Sequence, residues 1–534
     1  MFTKILKFYS FLFIGSICLI SCTKDFDTIN TNPASYSKAD FDPNFLLTSA
    51  QLAYTGSAGT GYEAQRTNLI YASTMMQGIA SVLDFWAGDK YMFNDEYTGA
   101  YWGGLRSIQG GAYPVQVKLV VDLIQFTKDK PEYKNLYQIA RIMKALIMER
   151  ITDLYGDVPY FDAGLAYYTN NFQPAYDKQQ DIYVDLLKEV EEATTALDDA
   201  GDKPAGDAFY SGNIGQWKRF GNTLLLRIAM RLTKIDPAMA QSYVIKVQGK
   251  TMESNADNAL VRHDKSGGGT TKNRNSQTFL GDAGLDYYYI KWSQTFINFL
   301  KSTNDPRLEK VAVTKLYLSP NSTIQNGTGD SDPSVQKGMP NGKDLSSIPG
   351  QAISLDPSFT TIPDYSSPSP FMIKYDGPTF ILTYAESELL LADAAQRWNV
   401  GGDAATHYNN GVKAAMTFLT QYDAALTISD ADADAYLSGH PYNAANGLEM
   451  INSQYWAHTI TMIDFYETWS NWRRTGFPAL TPVNYPGNVT GGIIPRRLPY
   501  PLSEASFNPV NYKAASGAVP GGDNLIGRVW WDKQ

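Results

Sequence analysis

Hydrophobic residues recur at three- and four-residue spacing over many segments of this chain, which is the period of an α-helix. In the segment 132–154, for example, Leu136, Ile139, Met143 and Ile147 share one face. The alternation typical of a half-buried strand is sparse by comparison. The pattern predicts helices over 44–54, 62–83, 116–126, 132–154, 180–197, 215–232, 292–300, 379–396, 403–419 and 449–473.

Helices of this length, joined by short turns, favour an all-α-dominated fold in which helix pairs stack into a tetratricopeptide-like superhelix with minor β structure. No strict tetratricopeptide signature recurs, so the prediction rests on the helix pairs. We expect one helical domain over 44–534, with irregular excursions near 84–104, 249–290 and 302–378. Connections of that length are usually functional or disordered.

The first residues carry an export signal. Lys4 and Lys7 precede the apolar stretch 8–20, which is too short to span a bilayer. This order of charged and apolar residues predicts that 1–21 is a signal peptide that is removed from the mature protein.

The signal ends in "LISC" at 19–22, the pattern that bacterial lipoprotein signal peptidase reads before the cysteine is lipidated. We expect Cys22 to carry fatty-acyl chains such as palmitate, and 22–43 to form a polar tether to a membrane surface. The alternative is an ordinary signal peptide, in which Cys22 is an incidental thiol.

The exported chain has no two cysteines to pair, because Cys18 lies within the removed segment and Cys22 is the other one. Its stability must therefore come from a large core. Removal of Lys4 and Lys7 takes the formal charge from −9 to −11. Such an acidic chain is a poor partner for nucleic acid.

Aromatic residues are abundant, with 35 Tyr, 24 Phe and 10 Trp. Most are expected to fill gaps between helices, but rings in loops offer flat faces to sugars or peptide side chains. The loop 84–104 also holds residues able to accept hydrogen bonds from hydroxyl groups, namely Asp84, Asp89, Asn94 and Asp95. The candidate ligand-binding residues are Trp86, Tyr91, Tyr97, Tyr101 and Trp102 in this loop, and Tyr287, Tyr289 and Trp292 after the glycine-rich stretch 267–286. The alternative for the second cluster is that Tyr288 and Trp292 are buried at the start of a helix.

Several blocks together resemble one family, the SusD and RagB group of outer-membrane nutrient-binding lipoproteins, over nearly the whole mature chain. They are "ITDLYGDVPY" from Ile151, "QWKRFGNTLLLRIAMRL" from Gln216, "NDPRL" from Asn304, "MPNG" from Met339, "ILTYAESELLLADAAQRW" from Ile381, "NWRRTGFPAL" from Asn471 and "RRLPYPLSEASFNPVNY" from Arg496. The lipoprotein signal and "NTNP" at Asn30 also stand where that family has them.

The resemblance implies a lipid-anchored protein on the outer face of the outer membrane. It would bind an oligomeric nutrient, most often a glycan, and deliver it to a SusC-like TonB-dependent transporter without breaking bonds. A peptide is the alternative cargo in this family. The family's ligand contacts come from variable loops, so the resemblance transfers no site residues, and no cofactor is expected.

The blocks also have a physical interpretation as scaffold. Gly156 is expected to end a helix that Pro159 keeps from resuming. In "ILTYAESELLLADAA", Glu386, Glu388 and Asp393 add acidity, and a buried Glu is expected to cap the helix or to pair with Arg473 or Arg474.

An enzyme is the rival class, and a glycoside hydrolase is its most natural form, since two carboxylates across a cleft suffice. Glu96, Asp89, Asp157 and Glu467 can be paired on paper, but 54 acidic residues leave such pairing unconstrained. The sequence has no G-x-S-x-G, H-E-x-x-H or G-x-x-x-x-G-K-[ST] motif. We interpret His458 as a packed core residue, and we expect no catalytic residues.

A calcium loop is suggested by the alternation of Asp430, Asp432 and Asp434. The glycine and glutamate positions of such a loop are Ala435 and Pro441, so the motif fails and no metal site is predicted. Ser429 followed by acids instead predicts a helix start.

A third class is a scaffold that binds proteins alone, because helical superhelices commonly present surfaces for that purpose. The aromatic loops favour additional contact with a small ligand.

Overall fold

The computed structural model of the chain describes residues 41–56, 62–103 and 110–533. The predicted signal segment, Cys22 and nearly all of the tether lie outside these residues. Helices account for 51% of the structure and strands for 6%, which confirms the prediction of an all-α-dominated fold. Among the described residues, none of the helices is long and apolar enough to cross a membrane.

The first half of the chain consists mainly of helices that pack in succession. Helix α3 (Lys118–Thr127) packs on α4 (Lys134–Tyr155), α4 on α6 (Gln179–Ala196), α6 on α7 (Ile214–Arg231) and α7 on α8 (Pro237–Val247), as a stack of helix pairs requires. Two further segments, Ala64–Ser73 and Ala112–Val117, are wound as π-helices. The helices are α1 (Asn44–Tyr54), α2 (Asp95–Thr98), α3 (Lys118–Thr127), α4 (Lys134–Tyr155), α5 (Ala166–Thr169), α6 (Gln179–Ala196), α7 (Ile214–Arg231) and α8 (Pro237–Val247).

The second half continues this architecture after an irregular stretch. Helix α13 (Tyr384–Trp398) packs against α14 (Ala404–Thr417) and α16 (Gly447–Met462), and α16 packs against α17 (Phe465–Thr475). The helices are α9 (Arg274–Phe279), α10 (Asp286–Tyr289), α11 (Gln294–Ser302), α12 (Leu308–Val311), α13 (Tyr384–Trp398), α14 (Ala404–Thr417), α15 (Asp430–Gly439), α16 (Gly447–Met462), α17 (Phe465–Thr475), α18 (Glu504–Phe507) and α19 (Pro509–Ala518).

Three antiparallel two-stranded sheets join distant parts of the described chain. They pair β1 (Ile79–Ser81) with β3 (Ile290–Trp292), β2 (Ala259–Arg262) with β6 (Pro378–Leu382), and β4 (Ala312–Val313) with β5 (Ser367–Pro368). The excursion 302–378 is ordered around a second small core, separate from the main one. That core contains Ala80, Val82, Tyr287, Tyr288, Val313, Leu316, Tyr317, Met339, Ile353, Ile362 and Tyr365.

Three predicted helices are shorter than their hydrophobic patterns suggest. The one over 62–83 ends before β1, because Gln77 takes a positive φ of 51°. The chain then passes close to Phe465 at Gly78, where a Cβ would lie 2.6 Å from that ring. The one over 449–473 is divided at Ile463, which has a φ of 60°.

The third of these, over 379–396, begins as strand β6. Thr383 then starts α13 with a capping box, in which its hydroxyl and the Glu386 side chain each accept a backbone N–H. β-Branched and aromatic residues before Thr383 favour the strand, and the hydrophobic period alone did not separate the two elements.

The blocks interpreted as scaffold meet in a buried ion network. Arg227 on α7 contacts Glu149 on α4 at 2.7 Å, and Arg231 contacts Asp153 at 3.1 Å as well as Glu467 on α17. These side chains lie in the core, so the pairs bind three helices together. Removal of one partner would leave a buried charge uncompensated.

The expected roles of the α13 glutamates are confirmed in part. Glu386 caps the helix as predicted, whereas Asp393 rather than a glutamate contacts Arg474, at 3.2 Å. Glu388 instead contacts Nδ1 of His407 at 2.9 Å. Arg473 donates to the backbone oxygen of Asp153 at 2.7 Å rather than to one of these acids.

Three local predictions are confirmed. Gly156 ends α4 with a φ of 88°, and Ser429 begins α15 by accepting the backbone N–H of Asp432. His458 is buried, with Nε2 at 2.8 Å from the Thr383 hydroxyl, and burial lowers its pKa to about 3. It is therefore a neutral core residue at physiological pH.

Candidate ligand-binding surface

The two aromatic segments predicted to form a site are joined by the sheet of β1 and β3. Ile79 pairs with Trp292 and Ser81 pairs with Ile290, so the loop after β1 leaves the sheet beside the end of α10. The sequence could not show this contact, because the two segments are about two hundred residues apart along the chain. The structure therefore brings the two predicted clusters together.

The rings themselves are placed differently from the prediction. Of the eight candidate ligand-binding residues, six lie in the core, which corrects the expectation that they face solvent. Their stacking on a ligand stays a prediction, since a buried ring offers no free face in this conformation. The six are Trp86, Tyr91, Tyr101, Trp102, Tyr287 and Trp292.

Trp102 shows why these rings are buried. Its ring centroid lies 4.7 Å from that of Tyr113, 5.2 Å from Tyr155, 5.7 Å from Tyr176 and 5.8 Å from Tyr500. The Tyr176 ring stacks on it at 25°. Trp102 is thus the centre of an aromatic cluster that fixes the end of the first loop.

Two of the other buried rings have polar atoms that form hydrogen bonds inside the protein. Tyr91 accepts the backbone N–H of Val483 through its hydroxyl oxygen at 3.0 Å, and Trp292 donates its indole N–H to the Val311 oxygen at 2.9 Å. Burial raises the pKa of Tyr101 to about 12. The alternative that Tyr288 and Trp292 are buried is confirmed.

Tyr97 and Tyr289 are the two predicted residues that keep part of their rings exposed. Their segments also expose large apolar residues that were not predicted from the sequence, among them Phe85 at 41%, Phe93 at 42% and Leu285 at 49%. We call Phe85, Tyr97, Leu285 and Tyr289, with the polar residues Arg66 and Glu96 beside them, the candidate ligand surface.

Lys90 holds the loop that carries Phe85. Its buried ammonium group donates to the backbone oxygens of Ser81, Leu83 and Trp86 at 3.4, 3.2 and 2.8 Å. Hydrogen bonds from a charged donor in a buried site are strong. Phe85 is therefore presented by a fixed loop, although it lies at the surface.

Arg66 and its neighbour Gln65 contact one segment each. Its guanidinium lies over the ring of Tyr62 at 3.9 Å and that of Tyr97 at 5.3 Å, and it contacts Glu96 at 3.5 Å. The neighbouring Gln65 donates to Asp286 on α10 at 2.7 Å. The surface thus combines apolar faces with a cation and a carboxylate.

Asp286 is buried beneath this surface. Burial raises its pKa to about 6, against the lowering effects of the Gln65 hydrogen bond and the charge of Arg66. Because the side chain is enclosed, it supports α10 rather than offering an acceptor to solvent.

The polar residues expected to bind hydroxyl groups are mostly used within the protein. Asp89 is buried and accepts from Asn341 and Gly342, each at 2.9 Å. Asn94 caps α2, and Asp95 accepts the backbone N–H of Leu502 at 2.9 Å. Asp84 is exposed, as a ligand contact requires.

The carboxylates considered for hydrolysis are likewise distributed over different parts of the fold. Glu467 belongs to the buried ion network, and Asp157 accepts from Lys178 and from the start of α6. Glu96 contacts Tyr62 and Arg66. Among the described residues, no group of three or more His, Cys, Asp or Glu is placed to hold a metal ion.

The fold consists of stacked helix pairs with long ordered loops, and two of these loops carry the candidate ligand surface. The chain is therefore a helical-repeat type of protein. Within that class the chain belongs to the SusD-like family, because residues 33–501 match its model, described as "Starch-binding associating with outer membrane". The resemblance seen in the sequence is thereby confirmed. No curated protein matches the chain.

Several solved structures are similar to the chain. A chitin-binding protein is 34% identical, with a TM-score of 0.78, and the match covers 92% of this chain and 100% of that one. A SusD-like protein of the Bacteroidetes is 25% identical, with the same TM-score and coverage. A chitin-binding SusD homologue from Flavobacterium johnsoniae, at 22% identity and a TM-score of 0.72 over 92% of this chain and 99% of that one, shares the fold.

Proposed function

We propose that this chain is a cell-surface lipoprotein that binds an oligomeric glycan and delivers it to a SusC-like TonB-dependent transporter. The proposal is supported by the pairing of β1 with β3, which joins the two ring-bearing segments, and by Phe85, Tyr97, Leu285 and Tyr289, which keep part of their side chains exposed on those segments. Apolar ring faces beside charged groups suit the apolar faces and hydroxyls of sugars. The protein would bind its ligand without cleaving it.

A chitin-type oligomer is the first ligand to test, because the chitin-binding protein described above is 34% identical over 92% of this chain. Stacked rings contribute roughly 0.5 to 1.5 kcal/mol each, so two rings supply about 1 to 3 kcal/mol. A few hydrogen bonds added to this energy give binding in the millimolar to micromolar range. Affinity of that order allows capture and later release.

The test is affinity electrophoresis and calorimetry with N-acetylglucosamine oligomers. We expect Phe85→Ala combined with Tyr97→Ala to weaken binding roughly tenfold, by the loss of two ring contacts. Phe172→Ala is a matched control, since Phe172 is an exposed ring on another segment. Equal loss in the control, or new reducing ends produced by the purified chain, would contradict the proposal. Binding of a peptide, without binding of the oligomers, would show that the cargo is a peptide rather than a glycan.

The anchor is proposed on the sequence at 19–22. Cys22→Ser should move the protein from the outer-membrane fraction to the soluble fraction, because each buried methylene of an acyl chain contributes roughly 0.8 kcal/mol to membrane binding. Surface labelling of intact cells should detect the parent chain. Unchanged partitioning of Cys22→Ser would refute the lipid anchor.

A further inference from the structure

A cavity lies where the end of α4 and the start of α6 meet the segment 518–533. Its volume is about 380 Å³, and none of its lining residues belongs to the candidate ligand surface. Sites for small molecules usually have volumes of about 300 to 1,000 Å³. The cavity is therefore large enough to hold a single sugar ring.

Part of the lining is apolar. Trp530 is partly exposed there, and its ring centroid lies 6.3 Å from that of Tyr183 on α6. A held tryptophan ring can pack against the apolar face of a sugar. The other apolar residues of the lining are Ala518, Val519, Pro520 and Val529.

The charged part of the lining contains more cations than carboxylates. Its carboxylates are Asp157 and Asp532, and its cations are Lys178, Arg497, Arg528 and Lys533. The chain as a whole has a formal charge of −9, so this excess of positive charge is local.

The carboxylates near the cavity are already paired. Asp532 accepts from Arg496 at 2.8 Å and from Arg528 at 3.0 Å. Asp157 accepts from Lys178 at 2.7 Å.

The remaining cations have fewer counter-ions. Arg497 pairs with Asp523, and among the described residues no carboxylate pairs with the Lys533 ammonium group. Lys533, Arg496 and the three other lining cations thus face three carboxylates. Two positive charges of this group are left for an anion from solution.

Arg497 is the buried cation of the cavity. Its side chain is fully enclosed, its guanidinium lies 4.6 Å from the centre of the Tyr500 ring, and it donates to the backbone oxygen of Tyr155 at 2.8 Å. Its Nε makes no hydrogen bond within the described part of the chain. A fixed guanidinium with an unused N–H favours an oxyanion, because arginine binds carboxylate and phosphate groups through charged hydrogen bonds.

Lys234 shows that the positive field extends beyond the lining. Its ammonium group donates to the backbone oxygen of Lys533 at 3.1 Å. Burial lowers the pKa of Lys234, Asp532 acts in the opposite direction, and the charges of Arg496 and Arg528 lower the pKa further.

We propose that this cavity binds a sugar that carries one oxyanion group, either a carboxylate or a phosphate. The oxyanion would lie beside Arg497, Arg528 and Lys533, and the sugar ring would pack against Trp530. The inference goes beyond the proposed function, because it assigns an acidic sugar to a second site and requires neither the candidate ligand surface nor delivery to a transporter.

The test compares three monosaccharides that differ at one carbon atom, with the full chain in calorimetry at low salt. Galacturonate carries a carboxylate and galactose 6-phosphate carries a phosphate at the position where galactose has a hydroxyl group. We expect at least one of the two acids to bind roughly tenfold more tightly than galactose, and its binding to weaken as sodium chloride screens the charges. The tighter acid identifies the oxyanion. Equal binding of galactose, or binding of neither acid, would overturn the proposal.

Arg528→Gln combined with Lys533→Gln removes two of the cations, while Asp532 keeps its hydrogen bond from Arg496. This variant should bind the acid roughly tenfold more weakly. Lys533→Gln alone, at an exposed position, should weaken binding in the same direction without any loss of stability in urea. Unchanged binding in both variants would overturn the site.

Lys218→Gln combined with Lys246→Gln is the matched control. These lysines pair at the surface with Asp199 at 2.7 Å and with Glu191 at 2.8 Å. The control should bind the acid as the parent does. An equal loss would show that the effect comes from the charge of the whole protein, and it would overturn the cavity as the site.

Phe85→Ala combined with Tyr97→Ala separates this inference from the proposed function. That variant should bind the acid as the parent does, because neither residue lines the cavity. Loss of the acid in that variant alone would place the acid at the candidate ligand surface and overturn the inference. Failure of N-acetylglucosamine oligomers to bind the parent would contradict the proposed function and leave the cavity as an independent site.

Discussion

Replacement of Trp102 by alanine separates the two roles that an aromatic residue in the first loop can have. Trp102 is 5% exposed and contacts four tyrosine rings at centroid distances of 4.7 to 5.8 Å. Truncation of a packed tryptophan costs about 3 to 5 kcal/mol, and the ring contacts place this site at the upper end. Since native proteins are stable by about 5 to 15 kcal/mol, the loss is a large fraction of the total.

The assay is urea unfolding followed by circular dichroism, which reports the helices of the whole domain. Trp102→Ala should unfold at a clearly lower urea concentration, and the molecules that remain folded should still bind ligand. Phe85→Ala is the counterpart, because Phe85 is 41% exposed. It should change the free energy of unfolding by about 0.5 kcal/mol or less and weaken ligand binding.

The opposite result would refute this reasoning. If Trp102→Ala unfolds with the parent and loses ligand binding alone, then the ring faces the ligand and the candidate ligand surface is misplaced. If Phe85→Ala destabilises the chain by several kcal/mol, then Phe85 is part of the core in solution. Either result would mean that the ligand contacts must be sought again among the rings predicted from the sequence.

The helices could be predicted from the sequence because their apolar faces repeat over many turns. The long helix α4 is the clearest case, since its pattern over 132–154 agrees with the observed Lys134–Tyr155. The pattern fails where a single backbone angle or cap decides the outcome. Gln77, Thr383 and Ile463 each end or begin an element without changing the hydrophobic period.

The candidate site could be predicted from the sequence as two segments but not as individual residues. The density of rings indicated the loop 84–104 and the segment 287–292, and the pairing of β1 with β3 joins them. The sequence could not distinguish the exposed Phe85 from the buried Trp86, because in a loop only the packing decides which of two adjacent rings faces the core. The role of Lys90 in fixing this loop could not be predicted either, since it depends on three backbone oxygens that come together only in the folded chain.

Three further predictions follow from buried charges. Lys90→Met should weaken ligand binding without removing a ligand contact and should cost about 1.5 to 3 kcal/mol in unfolding free energy, measured by calorimetry and urea unfolding against Phe172→Ala. Arg231→Met leaves Glu467 and Asp153 without their shared cation, so it should cost about 3 to 5 kcal/mol; an unfolding curve equal to that of the parent would show that the network adds nothing. The third concerns Asp286, whose pKa burial raises from 3.8 to about 6. Between about pH 4 and 6 the folded chain keeps a proton that the unfolded chain has released, so this residue makes the free energy of unfolding fall as the pH rises through that window. At pH 7 the accumulated loss is about 3 kcal/mol. Asp286→Asn carries no such charge, and part of the loss has already occurred at pH 4, so its unfolding free energy should fall between pH 4 and pH 7 by about 2.4 kcal/mol less than that of the parent. Equal falls in the two proteins would mean that Asp286 is solvated and that α10 does not enclose it.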